Sequence, residues 1–379
     1  MPAASLHHYA AEAIDRWRTG LPADAALRDF MRRHPRFPQA GRTKLVRAVF
    51  AYFRWLPWLA ESDRLPDQIA AAAAIQERFE RDPKSVKDPT LAARAVPEWV
   101  WSELDFGQDA AGETRKFQWL RSLQHTPPLW LRARSGSAAK VAAALRDCRP
   151  SPQAACPDAL CYAGATDLFL SEAFNRGDFE IQDLASQLVG AVCAPQPGAT
   201  WWDACAGEGG KALHLADLMH NKGTVWCSDR SARRLENLKR RFSRARLYNY
   251  RVAAWDGGPR LPTKAKFDGV LIDAPCSGLG TWARNPDARW TTTPKDVEEL
   301  AAVQLQLLGH AAGSLKPGGR LVYAVCTLTR RETTAVAAAL GAAHPELEPV
   351  SVLGQSPQLT LWPHELSANG MFLAAWRRS

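Results

Sequence analysis

Two cysteines stand where apolar runs end in the C-terminal half of the chain. FDGVLIDAPCSG (267–278) carries Val270, Leu271 and Ile272 into Asp273, Pro275 and Cys276, and LVYAVCT (321–327) runs into Cys326. Short apolar runs closed by a turn suit buried parallel strands. Ligands of open α/β sheets bind outside the carboxyl ends of such strands. A thiol attacks carbon only as its thiolate, and with an ordinary pKa of about 8.5 it needs help at neutral pH. Two strand-end thiols with an acid beside one of them therefore point to nucleophilic chemistry, but spacing alone leaves open which thiol attacks. The other cysteines, at 148, 156, 161, 193, 205 and 227, form no CxxC pair. Neither a zinc ribbon nor a disulfide framework is expected.

A second set of residues lies upstream. ATWWDACAGEGGKALHLADLM (199–219) reads as an apolar strand to Asp203, a small-residue loop from Ala204 to Gly210 and a helix opening near Lys211. Glycines let backbone approach a ligand, and a helix N-terminus favours negative charge. TVWCSD (224–229) is a second strand ending in an acid, and NYRVAAW is read as a third, ending at Asp256. The pattern describes a nucleoside-binding half-sheet. Gly207-x-Gly209-x-x-Ala212 also fits a dinucleotide fingerprint, whereas a P-loop would need glycine where Cys205 stands. If the ligand is S-adenosylmethionine, its methionine end rests on the loop, Asp229 takes the ribose, and Asp256 lies near the adenine.

Around these motifs, residues 1–81 read as an all-α domain broken at Gly20–Pro22, Pro35 and Pro38. In 1–62, ten Lys or Arg stand against five Asp or Glu, and Arg32, Arg33, Arg36, Arg42, Lys44 and Arg47 cluster at one helix junction. Residues 82–98, charged and Pro-rich, read as a linker. Residues 99–181 form a small α+β module whose PLWLRARSG strand would present Arg132 and Arg134 to RNA. Residues 182–379 carry the α/β domain. Trp282, Arg284, Arg289, Trp290 and Lys295 mix rings and positive charge in a loop, which suits a nucleic-acid strand. The chain has 379 residues and a net charge of +9, which favours a polyanionic partner. No stretch is long and apolar enough to span a membrane, and the start has no basic and apolar leader pattern. A cytoplasmic monomer is the default expectation.

DAPCSG, the Cys326-Thr327 strand end and the loop at 204–210 together resemble the Sun/RsmB-type RNA cytosine-5 methyltransferases. The QD-x-x-S-Q segment at 182–187, CSGLGTWARNPDARW and NGMFLAAW fit as well. The resemblance covers about 120–379, and the helical start is more loosely similar to NusB-like domains. It implies a seven-stranded Rossmann-like sheet with its last strand, near 370–376, antiparallel. It also implies S-adenosylmethionine as methyl donor and RNA, ribosomal above transfer RNA, as substrate. By this resemblance Cys326 is the nucleophile, Cys276 assists product release, Asp273 contacts the pyrimidine edge, and Lys211 is an active-site lysine. The cofactor set is Asp203, Cys205, Ala206, Gly207, Glu208, Gly209, Gly210, Lys211, Asp229, Arg234, Asp256 and Asp273. Glu208 departs from the family, which usually has proline there. Two rival readings are a non-catalytic RNA-binding assembly factor that kept the fold and a nicotinamide-dependent dehydrogenase.

Overall fold

Proline and glycine punctuate the first part of the chain where the sequence places them. The computed structural model describes residues 3–379, the side chains of 3–5 and 39 excepted, so Met1 and Pro2 of the expected helical domain lie outside the described residues. Helices Ala3–Arg18, Ala23–Arg33, Gln39–Trp55 and Leu65–Arg81 are separated at Gly20, with φ near 95°, and at the Pro35–Pro38 turn. The chain divides into two compact units, 1–127 with 281–294, and 128–280 with 295–379.

In the first unit the expected linker at 82–98 is folded. Pro83 and Pro89 stand in the first turns of a 3-10 turn, Pro83–Ser85, and a helix, Asp88–Arg94. Proline is tolerated there because those amides have no intrahelical partner. Leu91 and Ala95 are fully buried, and the Arg121 guanidinium donates to the Pro83 carbonyl and the Asp88 carboxylate.

Within 281–294, expected to face nucleic acid, Trp282, Ala283, Pro286, Asp287 and Arg289 are buried in this unit instead, and Arg284 is half-buried. Trp282 and Arg289 are fully buried. Arg289 donates to the carbonyls of Ala95 (3.2 Å), Leu123 (2.5 Å) and Trp282 (3.3 Å). The Trp290 indole donates to Phe53 O (2.7 Å), and Asp287 accepts from Ala23 N (2.8 Å). Buried polar groups need partners, and backbone carbonyls here replace the phosphates that sequence composition suggested. Of that stretch's expected RNA contacts, Lys295 is exposed and pairs with Glu299. In the N-terminal cluster, Arg32 and Arg33 turn to Asp29, and Arg33 also to Glu12, while Arg36, Lys44 and Arg47 stay exposed.

The second unit holds two sheets. Strands β1 (Leu129–Ala133), β2 (Cys148–Pro150), β3 (Ala159–Tyr162) and β4 (Phe179–Ile181) form an antiparallel sheet in the order β2-β3-β1-β4. DLFL, one of the strand candidates, is a 3-10 turn. Arg132 and Arg134 do not face outward for RNA. Arg132 is buried, donating to Gln182 Oε1 (2.6 Å) and Asp217 Oδ2 (3.2 Å), and Arg134 donates to Asp217 Oδ1 (2.7 Å). Both tie the small sheet to the helix Gly210–Leu218.

The larger sheet comprises β5 (Thr200–Asp203), β6 (Thr224–Cys227), β7 (Tyr250–Val252), β8 (Phe267–Asp273), β9 (Leu315–Val325), β10 (Leu347–Pro349), β11 (Gln358–Leu361) and β12 (Met371–Arg378). Its order is β10-β12-β9-β8-β5-β6-β7, with β11 on β12, one strand more than the seven expected. From β7 to β9 all neighbours are parallel, and β12 runs antiparallel to β9, as expected. The third expected strand stops early: β7 ends at Val252, and Asp256 lies in the following loop. Apolar layers cover both faces. Leu271, Val322 and Ala324 belong to one, Val270, Ile272 and Tyr323 to the other, following the alternation of side chains along a strand. None of the described helices is long and apolar enough to cross a membrane.

Candidate active site

The carboxyl ends of β5, β6, β8 and β9 gather the predicted residues. After Asp203 the chain turns through Gly207 (φ 54°) and Gly209 (φ 86°) into the helix Gly210–Leu218. Gly209 must be small for a second reason: a Cβ there would sit 2.8 Å from Leu238 Cγ. The loop is pinned by Ala206 N donating to Ser228 O (2.8 Å) and Gly207 N to Asp229 Oδ2 (3.1 Å). Asp229 also accepts from Ser231 N (2.7 Å), and Arg234 stands 3.9 Å away. Glu208 turns away from the loop: its Oε1 accepts from Asn237 Nδ2 (2.9 Å) and its carbonyl from Arg241 (3.0 Å). The helix Ala232–Arg244 thus holds the position that proline would stiffen in the related family.

Asp203 is fully buried, and neither carboxylate oxygen meets a well-aligned donor among the described residues. Burial first, then the charge of Asp273, pushes its carboxyl up to about 8, against the weaker pull of Lys211 and the Cys205 amide. Such an orphaned acid beside a glycine-lined helix start fits a ligand that brings a positive charge close to backbone. The residues at this loop therefore suit the sulfonium and ammonium end of S-adenosylmethionine. Cys205 is half-buried, and burial, followed by the charge of Asp203, holds its thiol well above the usual range, so it is no nucleophile. Asp256 is exposed and lines a cavity of about 450 Å³ with Arg230, Trp255 and Arg260.

From the first turn of the helix Gly210–Leu218, Lys211 Nζ donates to Asp273 Oδ2, at the end of β8, at 2.7 Å. Burial works to lower the lysine pKa, but the Asp273 charge and hydrogen bond outweigh it and hold the ammonium above its ordinary value. Cys276 and Cys326, on the loops after β8 and β9, have their sulfurs 3.3 Å apart. The hydrogen bond between the two thiols lowers the Cys326 pKa, opposed by burial and Asp273 and aided by Lys211. The same hydrogen bond, with burial, raises Cys276. The contact thus shifts the two thiols in opposite directions, Cys326 down and Cys276 up.

Sequence reading missed the residues that hold the two thiol loops together. Gly280 N donates to Cys326 O (3.0 Å), and Gly370 N donates to Gly280 O (2.7 Å). Gln304 donates to Pro275 O (2.9 Å), and buried Glu332 accepts from Ser277 N (2.8 Å). The signal available for Glu332 was weak, an acid six residues after Cys326 in a polar run. The QD-x-x-S-Q segment is a joint. Gln182 links Arg132 to Gly210 O, Gln187 bonds Leu131 O, and Asp183 caps the helix Leu184–Cys193 while accepting from Asn369 N.

A mostly parallel sheet with a glycine loop after its first central strand, acids at the next strand ends and an antiparallel last strand defines the S-adenosylmethionine-dependent methyltransferase class. Residues 191–377 match the family model described as 16S rRNA methyltransferase RsmB/F. A putative methyltransferase of Mycobacterium tuberculosis, Rv1407, is 34% identical over 318 residues, 78% of this chain and 67% of that protein. The chain belongs to the RsmB/F methyltransferase family. The probable ribosomal RNA small subunit methyltransferase B of Bacillus subtilis is 35% identical over 218 residues, 54% of this chain. The match spans about half of that relative, 49% of its length. The crystal structure of PH0851 shares the fold, with a TM-score of 0.77 and 21% identity, over 100% of this chain and 99% of the other.

Proposed function

We propose that the protein transfers a methyl group from S-adenosylmethionine to C5 of a cytosine in structured RNA, ribosomal above transfer RNA. The observation that carries this reading is the pair of thiols 3.3 Å apart at neighbouring strand ends. C5 of cytosine is a weak nucleophile, and addition of a thiolate at C6 makes it electron-rich. Cys326 Sγ forms the bond to C6, and the C5–C6 π pair moves onto C5. Asp273 contacts the N3 or amino edge of the base, and Lys211 holds its carboxylate in place. Bound S-adenosylmethionine supplies an electrophilic methyl on sulfur. After alkylation, loss of the C5 proton returns the electron pair to the C5–C6 bond and expels Cys326 as thiolate. Cys276, in contact with that sulfur, assists the release. Asp203, Cys205 and the loop Ala206–Gly210 hold the methionine end, Asp229 and Arg234 the ribose end, and Asp256 the adenine side. The target base must leave its stack, which costs a few kcal/mol in a helix and less in a loop. The ribosomal RNA name of the Bacillus subtilis relative supports ribosomal RNA as substrate.

The test is transfer of labelled methyl to total RNA, followed by bisulfite mapping of the product. Cys326→Ala is expected to abolish transfer, and Cys276→Ala to accumulate a protein–RNA adduct that survives denaturation. A Cys276→Ala enzyme that turns over normally would remove the assigned roles.

A further inference from the structure

Glu332 is fully buried, yet its carboxylate is surrounded by donors. Oε1 accepts from Ser277 N (2.8 Å) and Gln304 Nε2 (3.0 Å), and Oε2 from the hydroxyls of Ser277, Thr327 (3.2 Å) and Thr329 (2.8 Å). Every one of these partners can donate, and an ionised carboxylate has no donor of its own, only acceptors. The arrangement is therefore built for a buried negative charge. It joins Ser277, next to Cys276, to Thr327, next to Cys326.

The charge is not placed evenly between the two sulfurs. Tyr323 lies in β9, in the layer that holds Val270 and Ile272, and Cys326 follows the end of the strand. Tyr323 donates to Glu332 O (2.6 Å) and to Gln304 Oε1 (2.8 Å). Cys276 packs against the apolar layer that contains Tyr323, and Cys326 packs against the other layer. Glu332 thus lies on the Cys276 side of the sheet, while the Lys211 ammonium acts on Cys326.

We propose that Glu332 is a positioning residue that makes the two thiols inequivalent. Its fixed charge keeps the shared proton on Cys276, so that Cys326 stands as the thiolate with Cys276 donating to it. The hydrogen bond between the thiols contributes most to raising Cys276; burial and the charge of Cys326 add to it, and Glu332 acts in the same direction. The inference rests on the two-cysteine reading above and adds a cause for its division of labour. No atom is gained or lost, since one proton is partitioned between two sulfurs.

The test is the pH dependence of alkylation of each thiol by trace iodoacetamide, read by mass spectrometry on the full chain. In the unmodified protein Cys326 is expected to react at lower pH than Cys276. Glu332→Gln keeps the size and removes the charge. It should raise the Cys276 share of label by about tenfold, the ratio one pKa unit represents, and lower kcat more than it raises KM for RNA. Glu332→Asp keeps the charge and should keep the label on Cys326 even where turnover falls. Equal pH dependence of the two thiols in the unmodified protein would overturn the proposal, and needs no variant to fold. So would equal loss of selectivity in the Gln and Asp variants, which would make Glu332 a brace only. Cys326→Ala in the methyl-transfer assay is read separately: activity there removes the two-cysteine reading, and the alkylation pattern still decides the role of Glu332.

Discussion

Gly280 links the two thiol loops, and adding one methyl group there tests whether their spacing governs turnover. A Cβ on Gly280 would lie 2.0 Å from Gly370 O and 2.9 Å from Cys326 O. Non-bonded atoms need about 3 Å or more, so one backbone segment must retreat by about 1 Å. The segments concerned are those joined by the Gly280–Cys326 and Gly370–Gly280 hydrogen bonds. Overpacking of this kind costs about 1–3 kcal/mol, and loosening a backbone hydrogen bond adds about 1. Gly280→Ala should therefore destabilise the second unit by about 2–4 kcal/mol. Displacing a reacting group by about 1 Å costs on the order of 100-fold in rate, so methyl transfer should fall by that factor. Cofactor affinity should hold, because the glycine loop follows β5. Gly341→Ala is the control. Its Cβ meets nothing within 4 Å, and its place inside the helix Thr334–Ala343 predicts neutral to slightly higher stability. Denaturant melting, cofactor titration and single-turnover transfer would be measured on both variants. A Gly280→Ala protein with rate and stability within twofold and 0.5 kcal/mol or so of its parent would refute the reasoning.

Two further outcomes concern the cofactor loop. Glu208→Ala removes the Asn237 hydrogen bond and should weaken S-adenosylmethionine binding by about 2–10-fold, the range for one hydrogen bond of modest net strength; an unchanged Kd by calorimetry would mean that the loop is held without it. Asp203, with its carboxyl near 8, is protonated in the ligand-free site at pH 7. A bound cation favours its ionised form, so binding should release a proton and tighten as pH rises from 6 towards 8, then level off. Calorimetry in buffers of different ionisation heat reads that release. Its persistence in Asp203→Asn would assign the proton elsewhere.

The thiols, the glycine loop and the acids were legible because each is a local signal: an apolar run, a stop and a chemically distinctive residue. β5, β6, β8 and β9 followed from the same runs, and β12 from the family resemblance. What was not legible was where charge goes after folding. Arg132, Arg134 and Arg289 are basic residues beside aromatics, and composition alone aims them at RNA. In the fold Arg132 and Arg134 find Asp217, and Arg289 finds three carbonyls. Those partners lie 85, 83 and up to 194 positions away. No periodicity reports such pairings. The Pro-rich stretch at 82–98 misled for a different reason, since proline in a first turn starts a helix as readily as it ends one. β7 ends early although Ala253 and Ala254 continue the apolar pattern: after Ala253 N donates to Cys227 O (3.1 Å) the pairing with β6 stops.

Four acids, Asp203, Asp229, Asp256 and Asp273, lie at or near the ends of parallel strands and look nearly alike in sequence, and a fifth, Glu332, follows β9 without such a signal. Their surroundings separate them. Asp203 is buried without a well-aligned donor, so it is held neutral until a cation arrives. Asp229 receives two backbone amides and so shapes the loop. Asp256 is exposed beside a cavity. Asp273 is paired to a lysine and remains partly open to solvent, which leaves it free to meet a base edge. Glu332 is buried like Asp203, but its carboxylate is surrounded by donors. On the reading proposed above, in which the site generates a thiolate, the two buried acids have different tasks. One must change charge when the cofactor binds, and the other must not change when the thiols do. Their opposite hydrogen-bond environments, one empty and one full, are what allow the two to work within one cleft.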